Sequence, residues 1–279
     1  MLYSESIEGH TVEEASTDSV DPTSVDLLSK TQVDRLGDRL RKGTVAEEDL
    51  QQLDTYRRSF SESYDEIVAV VRDATQLEPT GRPTKSTTSI IEKIRRETIR
   101  LSQMQDIAGC RVVVDNILVQ DQVVERLKSA LPKAIVVDRR KQPSFGYRAM
   151  HVIVTARNKP VEIQVRTELQ HLWAQFSEKL SDVRDPGIKY GGGGTEIQQT
   201  LSSISTLIAS LENVELNESV LESMLSDLQS QVSTRGLSEH KRLGPLIADV
   251  NAKRAESKGR LSDIKRQLCQ LLENAIKSE

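Results

Sequence analysis

From residue 44 to about 76 an apolar residue recurs every three or four positions: Leu50, Leu53, Tyr56, Phe60, Tyr64, Ile67 and Val71. That spacing predicts one amphipathic helix. Thr44 would cap it, with acids in the first turn, where the helix dipole favours them. The segment EPTGRPTK then reads as a turn-rich loop. A second helix is predicted from about Ser86 to Arg100, with Lys93, Arg96 and Arg100 on its charged face. Here the period changes. AGCRVVVD is short and β-branched, so it reads as a buried strand. DQVVERLKSAL is a helix and AIVVDRR a second strand. RAMHVIVTAR and KPVEIQVRT are two more, joined by a hairpin at Asn158–Lys159 that makes them antiparallel. The helix TELQHLWAQFSEKL closes the run. The expected fold class is α/β (α+β), with a mixed or antiparallel sheet of about five strands flanked by helices, not a doubly wound one.

Beyond this run the patterning is helical again. Ile197, Leu201, Ile204, Ile208 and Leu211 form one stripe, and Leu261, Ile264, Leu268, Leu271 and Ala275 another. The stripes fit a helical hairpin packed on the core, a coiled-coil oligomer seam or a partner-binding arm. Between run and stripes lies GGGG, Gly191 to Gly194. It lacks the following Lys-Ser/Thr and the preceding strand of a phosphate loop, so it reads as a linker. Aromatic residues, which carry large buried areas, lie between Tyr56 and Tyr190 apart from Tyr3. The expected organisation is an acidic disordered tail at 1–30, a compact domain at 31–190, the glycine linker at 191–194 and a helical extension at 195–279.

Composition narrows the class. The 279 residues are 37% hydrophobic and 29% charged, which predicts a soluble protein. A net charge of -4 gives no global case for nucleic-acid binding, so any basic patch is local. Cys110 and Cys269 lie far apart without metal-ligand spacing, which fits reduced thiols in the cytoplasm. No apolar run approaches a membrane span, and no secretory start is visible. No histidine pair has zinc-ligand spacing, which rejects a zinc site.

The chemistry concentrates between Arg82 and Thr167. Asp106 and Glu162 fall in predicted strand positions, each flanked by arginines, with a basic helix before them. Carboxylates hold hard cations and guanidinium groups grip phosphate oxygens, which sketches a phosphoryl-transfer site. Alternation puts Glu162, Gln164 and Arg166 on one strand face, opposite Val161, Ile163 and Val165. Such a face is either solvent-exposed or an active-site wall. Each residue also has a plainer role open to it. Asp106 would simply close the turn into its strand. Tyr147 would be a core aromatic, and His151 and His171 hydrogen-bonded core histidines. The cluster Arg139, Arg140, Lys141 would be a solvated turn.

Four pieces occur in order: a basic R…K…SI..K element (Arg82, Lys85, Ser89-Ile90, Lys93), DIAGCR (Asp106 to Arg111), GYRAMH (Gly146 to His151) and EIQVRT (Glu162 to Thr167) with QHLWA after it. Over about residues 45–190 the chain resembles the synthetase domain of the RelA/SpoT alarmone synthetases, in a small single-domain build. The resemblance implies a nucleotidyltransferase-like sheet and transfer of the β,γ-pyrophosphate of ATP to the 3′-hydroxyl of GDP or GTP, with Mg²⁺. It implies that Asp106 and Glu162 hold the metal and that Glu162 also helps deprotonate the attacking hydroxyl. Arg82, Lys85, Ser89, Lys93 and Arg111 would bind ATP. Tyr147 would stack on the acceptor base, with His151, Gln164, Arg139, Lys141 and Arg148 around the acceptor. One departure stands out. The family usually separates the leading arginine and lysine by one residue, whereas Pro83 and Thr84 separate Arg82 from Lys85 here. Either the loop carries an insertion or Arg82 is not the stacking arginine.

Two other readings remain open at this level. Some relatives of this build are toxins that pyrophosphorylate the 3′ end of tRNA, and the Arg139–Lys141 cluster suits an RNA backbone as well as a nucleotide phosphate. The chain would otherwise be a catalytically silent interaction module acting through its long helices. Those helices are also where a second copy of the chain or an antitoxin partner would dock.

Overall fold

A computed structural model of the chain describes residues 28–43, 45–235 and 237–277. Residues 1–27 of the expected acidic tail, and the expected Thr44 cap, lie outside the described residues. The first helix, α1 (Lys30–Arg41), lies where the periodicity predicts no element. Its signal is a capping box: Ser29 Oγ accepts from the Gln32 amide at 3.3 Å, and Gln32 Oε1 accepts from the Ser29 amide at 2.8 Å. Val33, Leu36 and Leu40 are thereby turned into the core.

The single helix expected over 44–76 is two, α2 (Glu47–Arg58) and α3 (Ser61–Thr75). No proline or glycine marks the break, and the apolar period runs straight through it. At the junction Ser59 Oγ donates to the Tyr56 carbonyl at 2.6 Å, and Phe60 is fully buried with its ring edge-on to Tyr56 at 5.3 Å. Helix α4 (Thr87–Arg96) stops short of Arg100. Arg41 on α1 donates to the Ile94 and Ile99 carbonyls, at 3.0 and 2.6 Å, and draws the chain out of the helix into a short turn at Leu101–Gln103.

The sheet has five strands: β1 (Thr80–Arg82), β2 (Ala108–Val114), β3 (Ile135–Asp138), β4 (Met150–Ala156) and β5 (Lys159–Thr167), in the order β1-β2-β5-β4-β3. β2 and β5 pair parallel and the other neighbours antiparallel, so the sheet is mixed as expected. β1 falls in the segment read as a loop; three residues are too few to show a period. The β4–β5 turn is Arg157–Asn158, one residue before the expected position, because Ala156 and Lys159 are the last pair. Both turn residues have positive φ, 48° and 61°, the twist that two-residue hairpins favour.

Helix α5 (Ile117–Ala130) and α3 cover one face of the sheet, and Val112, Val152, Val154, Val161, Ile163 and Val165 fill the core beneath them. The other face meets α6 (Glu168–Val183) near the end of β5. A second core joins α6 to α7 (Thr195–Arg235) and α8 (Leu237–Lys277), through Leu172, Trp173, Leu201, Ile208, Leu211 and Leu272. The last two helices form a hairpin held in part by Lys265–Glu215 (3.2 Å) and Lys258–Glu222 (3.4 Å). The stripe on α7 faces inward as expected. On α8 the expected stripe is rotated: Leu272 is buried, whereas Leu271 is 66% exposed. α8 packs against α6 as well as α7, so its inner face is chosen by two neighbours rather than one. Gly191, Gly193 and Gly194 have positive φ and form a shaped turn, across which Gln198 Nε2 donates to the Ile188 and Gly192 carbonyls at 2.7 Å.

Phe60 joins α2 to α3: its N–H donates to the Arg57 carbonyl at 3.2 Å, its carbonyl accepts from the Tyr64 N–H at 2.9 Å, and its ring is buried. Truncation to alanine is predicted to cost about 3–5 kcal/mol, read as a shifted midpoint in chemical denaturation. A loss below about 1 kcal/mol would show that the helix break does not depend on this ring.

Candidate active site

Strand alternation builds the site. With Val161, Ile163 and Val165 committed to the core, Glu162, Gln164 and Arg166 face the other way, into a cleft of about 810 Å³. The register widens this row across the sheet: Gln164 lies between Arg111 on β2 and His151 on β4, and Glu162 between Gly109 and Ile153. The C-terminal part of α4, the loop before β2 and the inner side of α6 complete the walls.

Asp106 lies in the loop just before β2, not in the strand as expected. There its two oxygens take separate cations: Oδ2 accepts from Lys85 Nζ at 2.7 Å and Oδ1 from Lys93 Nζ at 2.9 Å. Burial pushes its carboxyl up, but the two lysines outweigh it and hold the pKa at about 2, below the ordinary 3.8. Glu162 is held differently. Its Oε1 lies 2.8 Å from His151 Nδ1, and its Oε2 accepts from Gln164 Nε2 at 2.7 Å. Burial opposes its ionisation, yet the bonds from His151 and Gln164 bring its pKa below the usual range. Asp106 is near enough to push it slightly back up.

A hydrogen-bonded chain leads from Glu162 toward the end of β5. Tyr147 Oη lies 2.8 Å from His151 Nε2 and accepts from Arg166 Nη2 at 3.1 Å. With that lone pair used, the phenol hydrogen is free to go to Nε2, which fits a His151 tautomer with its proton on Nδ1, facing Glu162. Arg166 Nη2 also donates to Gln164 Oε1 at 2.7 Å, and its guanidinium carbon lies 5.0 Å from the Tyr147 ring centre. Arg166 is only 3% exposed. Its Nε, the Nε of Arg111 and the Nδ1 of His171 are buried without a hydrogen-bond partner. Burial and then neighbouring Arg166 lower the pKa of Arg111. Burial, Arg111 and Arg166 likewise push His171 down to about 4. The crowded, under-bonded guanidinium groups of Arg111 and Arg166 on the cleft wall suit anionic oxygens.

Of the residues singled out from the sequence, Arg82, Lys85, Lys93, Asp106, Arg111, Arg139, Tyr147, His151, Glu162 and Gln164 all line this one cleft. Arg82 sits on β1 opposite Gly109, on the β1 edge of the sheet. Three others do not line it. Ser89 bonds Ser86 Oγ at 2.8 Å within the first turn of α4. Lys141 points to solvent, its ammonium 3.9 Å from Asp138. Arg148 is turned toward α7, donating to Ser205 Oγ at 2.9 Å and to the Arg140 carbonyl at 2.6 Å. Its strand neighbour Ala149 is fully buried, and Arg148 precedes the first residue of β4, so strand alternation does not aim it. The cleft also includes Arg166, on the strand face it shares with Glu162 and Gln164 but with no role assigned to it from the sequence, and Trp173, Glu178 and Lys189, for which no site role was expected. The phase of Arg166 with Glu162 and Gln164 carries it into the cleft. The other three reach the cleft from α6 and the turn after it, which no local pattern reveals.

Residues 81–181 match the family model described as the region found in RelA / SpoT proteins. An uncharacterized protein of Mycobacterium bovis is 35% identical over 135 residues, covering 47% of this chain and 49% of that protein. The chain thus spans about half the length of that relative. A probable chloroplastic GTP diphosphokinase of Arabidopsis thaliana is 34% identical over 97 residues, 33% of this chain and 14% of that protein. The crystal structure of the small alarmone synthetase 1 from Bacillus subtilis overlays 62% of this chain and 99% of that one, at 26% identity and a TM-score of 0.48. The matched segment begins within β1 and ends within α6, and so contains both acids and the strands that carry their partners. Over residues 81–181 the chain is therefore similar to the region found in RelA / SpoT proteins.

Proposed function

We propose that this chain transfers the β,γ-pyrophosphate of ATP to the 3′-hydroxyl of GDP or GTP. The observation that carries the reading is that two ionised acids share one cleft but have different partners. Asp106 is held by lysines, as suits a phosphate-binding end. Glu162 is held by His151 beside an aromatic ring and buried arginines, as suits an end that receives a hydroxyl and a base. The Arabidopsis relative's name, a probable GTP diphosphokinase, agrees in substrate class.

The chemistry is a displacement at phosphorus. The acceptor's 3′-oxygen bonds to the β-phosphorus of ATP, the bond from that phosphorus to the bridging α,β-oxygen breaks, and AMP leaves. Glu162 accepts the hydroxyl proton and passes it to water. Its depressed pKa keeps it ionised at neutral pH, and the His151 bond fixes its orientation. Lys85, Lys93, Arg82 and Arg111 bind and orient ATP. Arg166, with its unpartnered Nε, takes phosphate oxygens, and the Tyr147 ring receives the acceptor base. Mg²⁺ fits the donors: Asp106 and Glu162 bring hard carboxylate oxygens to one cleft. Magnesium is commonly held by one or two carboxylates plus substrate phosphates. Bound there, it neutralises charge on the transferring group.

The direct test offers labelled ATP with GDP, GTP and tRNA in turn. Label on GDP or GTP supports the proposal. Label on tRNA alone would move the activity to the translation-blocking alternative, and label on none would leave the silent interaction module.

Asp106→Asn and Glu162→Gln are each expected to lower transfer well beyond about tenfold, roughly 1.4 kcal/mol, in a steady-state assay. Turnover within that factor would remove either acid from the reaction. An acid-stability series checks Asp106 independently. Its folded pKa of about 2 lies below the ordinary 3.8, so its stabilisation is complete above about pH 4 and lost as pH falls through about 2. Wild type should lose roughly 2 kcal/mol over that window and Asp106→Asn should lack the component.

Tyr147→Ala should weaken acceptor binding by about 1–3 kcal/mol while ATP binding stays nearly unchanged. Tyr147→Phe should keep most of the stacking and lose only the bonds to His151 and Arg166. A large drop in melting temperature for Tyr147→Ala, with ATP binding weakened as well, would make the ring structural.

A further inference from the structure

Glu212 is a carboxylate on α7, 2% exposed, whose hydrogen bonds come from neutral groups. It accepts the Thr167 hydroxyl, and its two oxygens accept from Gln170 Nε2 at 3.0 and 3.2 Å. Burial pushes its pKa above the ordinary carboxylate value, and the bonds from Thr167 and Gln170 offset this only in part. A buried acid is tolerated only where donors are placed for it, and these donors stand at one significant spot. Thr167 is the last residue of β5, directly after Arg166, and the N-cap of α6. Its hydroxyl has one hydrogen, which Glu212 takes, leaving a lone pair for the Gln170 amide at 3.2 Å.

The bonding continues to α5, on the opposite face of the sheet from the cleft. Gln170 Oε1 accepts from Gln120 Nε2 at 2.9 Å, and Gln120 Nε2 also donates to the Val165 carbonyl at 2.7 Å. Gln120 Oε1 accepts from Arg140 Nη1 at 3.1 Å, next to Arg139 in the cleft. Two helical turns before Glu212, on the same face of α7, Ser205 accepts from Arg148 Nε, and Arg148 bonds the Arg140 carbonyl. Another turn back, the Leu201 carbonyl accepts the Trp173 indole N–H at 3.0 Å. These bonds from α7 run to the half of the cleft that holds Tyr147, Arg166 and Arg139. Asp106, with Lys85 and Lys93, stands at the other end.

We propose that α7 buttresses the acceptor half of the cleft without lining it, and that Glu212 is a positioning residue that holds Arg166 through Thr167 and Arg139 through Gln170, Gln120 and Arg140. This rests on the reading of that half as the guanine-nucleotide site. A helix outside the family-matched region thereby sets how the acceptor is held.

The test uses the full chain and its single tryptophan, Trp173, whose fluorescence reports from the cleft. GDP and an α,β-methylene analogue of ATP are titrated separately, with equilibrium dialysis as a check. Glu212→Ala should weaken GDP binding about tenfold and leave the ATP analogue within about twofold. Glu212→Gln should lie between, because it keeps a carbonyl for Thr167 but turns an N–H toward the Gln170 amide. Leu211→Ala, a buried apolar truncation on the same helix, should lower the melting temperature without separating the two ligands. GDP binding unchanged in Glu212→Ala, equal weakening for both ligands, or the same split in Leu211→Ala would each overturn the positioning role while leaving the reading of the cleft intact. A wild-type chain that bound the ATP analogue but not GDP would overturn that reading, and the role of Glu212 with it.

Discussion

The parallel pairing of β2 with β5 is the contact on which the rest of the site depends. It sets Gly109 beside Glu162 and Arg111 beside Gln164, and so brings two segments far apart in sequence onto one open face. The pairing has a steric condition at Gly109. A Cβ there would come 2.7 Å from the Glu162 carbonyl oxygen, so a side chain at this position would push β5 and its acid away from β2. Hydrogen bonding along the two strands therefore aligns the backbone and also fixes how far the acid-bearing strand lies from the loop that carries Asp106.

Charge is distributed on this frame by burial. The chain as a whole is acidic, yet its cleft gathers Arg82, Lys85, Lys93, Arg111, Arg139, Arg166 and Lys189. Asp106 and Glu162 remain ionised because each has its own donors, so neither has to rely on the other's partners. Among the described residues Arg111 and Arg166 have no carboxylate within hydrogen-bonding reach, and each leaves an Nε unbonded. That imbalance would be costly in an ordinary core. It makes sense in a cleft whose proposed ligands bring several phosphate oxygens each.

The two hydrophobic cores divide the labour. The first anchors the sheet from beneath, with α3 and α5 across its back. The second joins α6 to the C-terminal hairpin, and its Trp173 has one side in the cleft and its N–H on α7. Helix α6 belongs to both the site and the hairpin, so the long helices are tied to the chemistry by packing and by the buried Glu212 cluster rather than appended to it.

The sequence alone carried β2 to β5, their alternation and the ordered motifs, because period two commits one face of β5 to the core and leaves Glu162, Gln164 and Arg166 on the other. That logic extends only along a single element. The break between α2 and α3, the early end of α4 and the rotated inner face of α8 were set by partners distant in the chain: the burial of Phe60, the Arg41 bonds to the Ile94 and Ile99 carbonyls, and the packing of α8 on two helices at once. The same holds for the site. Residue type and order marked out Asp106, Glu162 and Tyr147. The tertiary structure decided that Asp106 takes two lysines, that Arg148 turns away to Ser205, and that Trp173 and Lys189 enter the cleft. Those outcomes depend on where separate elements meet in space, and the geometry of that meeting is not written in the period of any one of them.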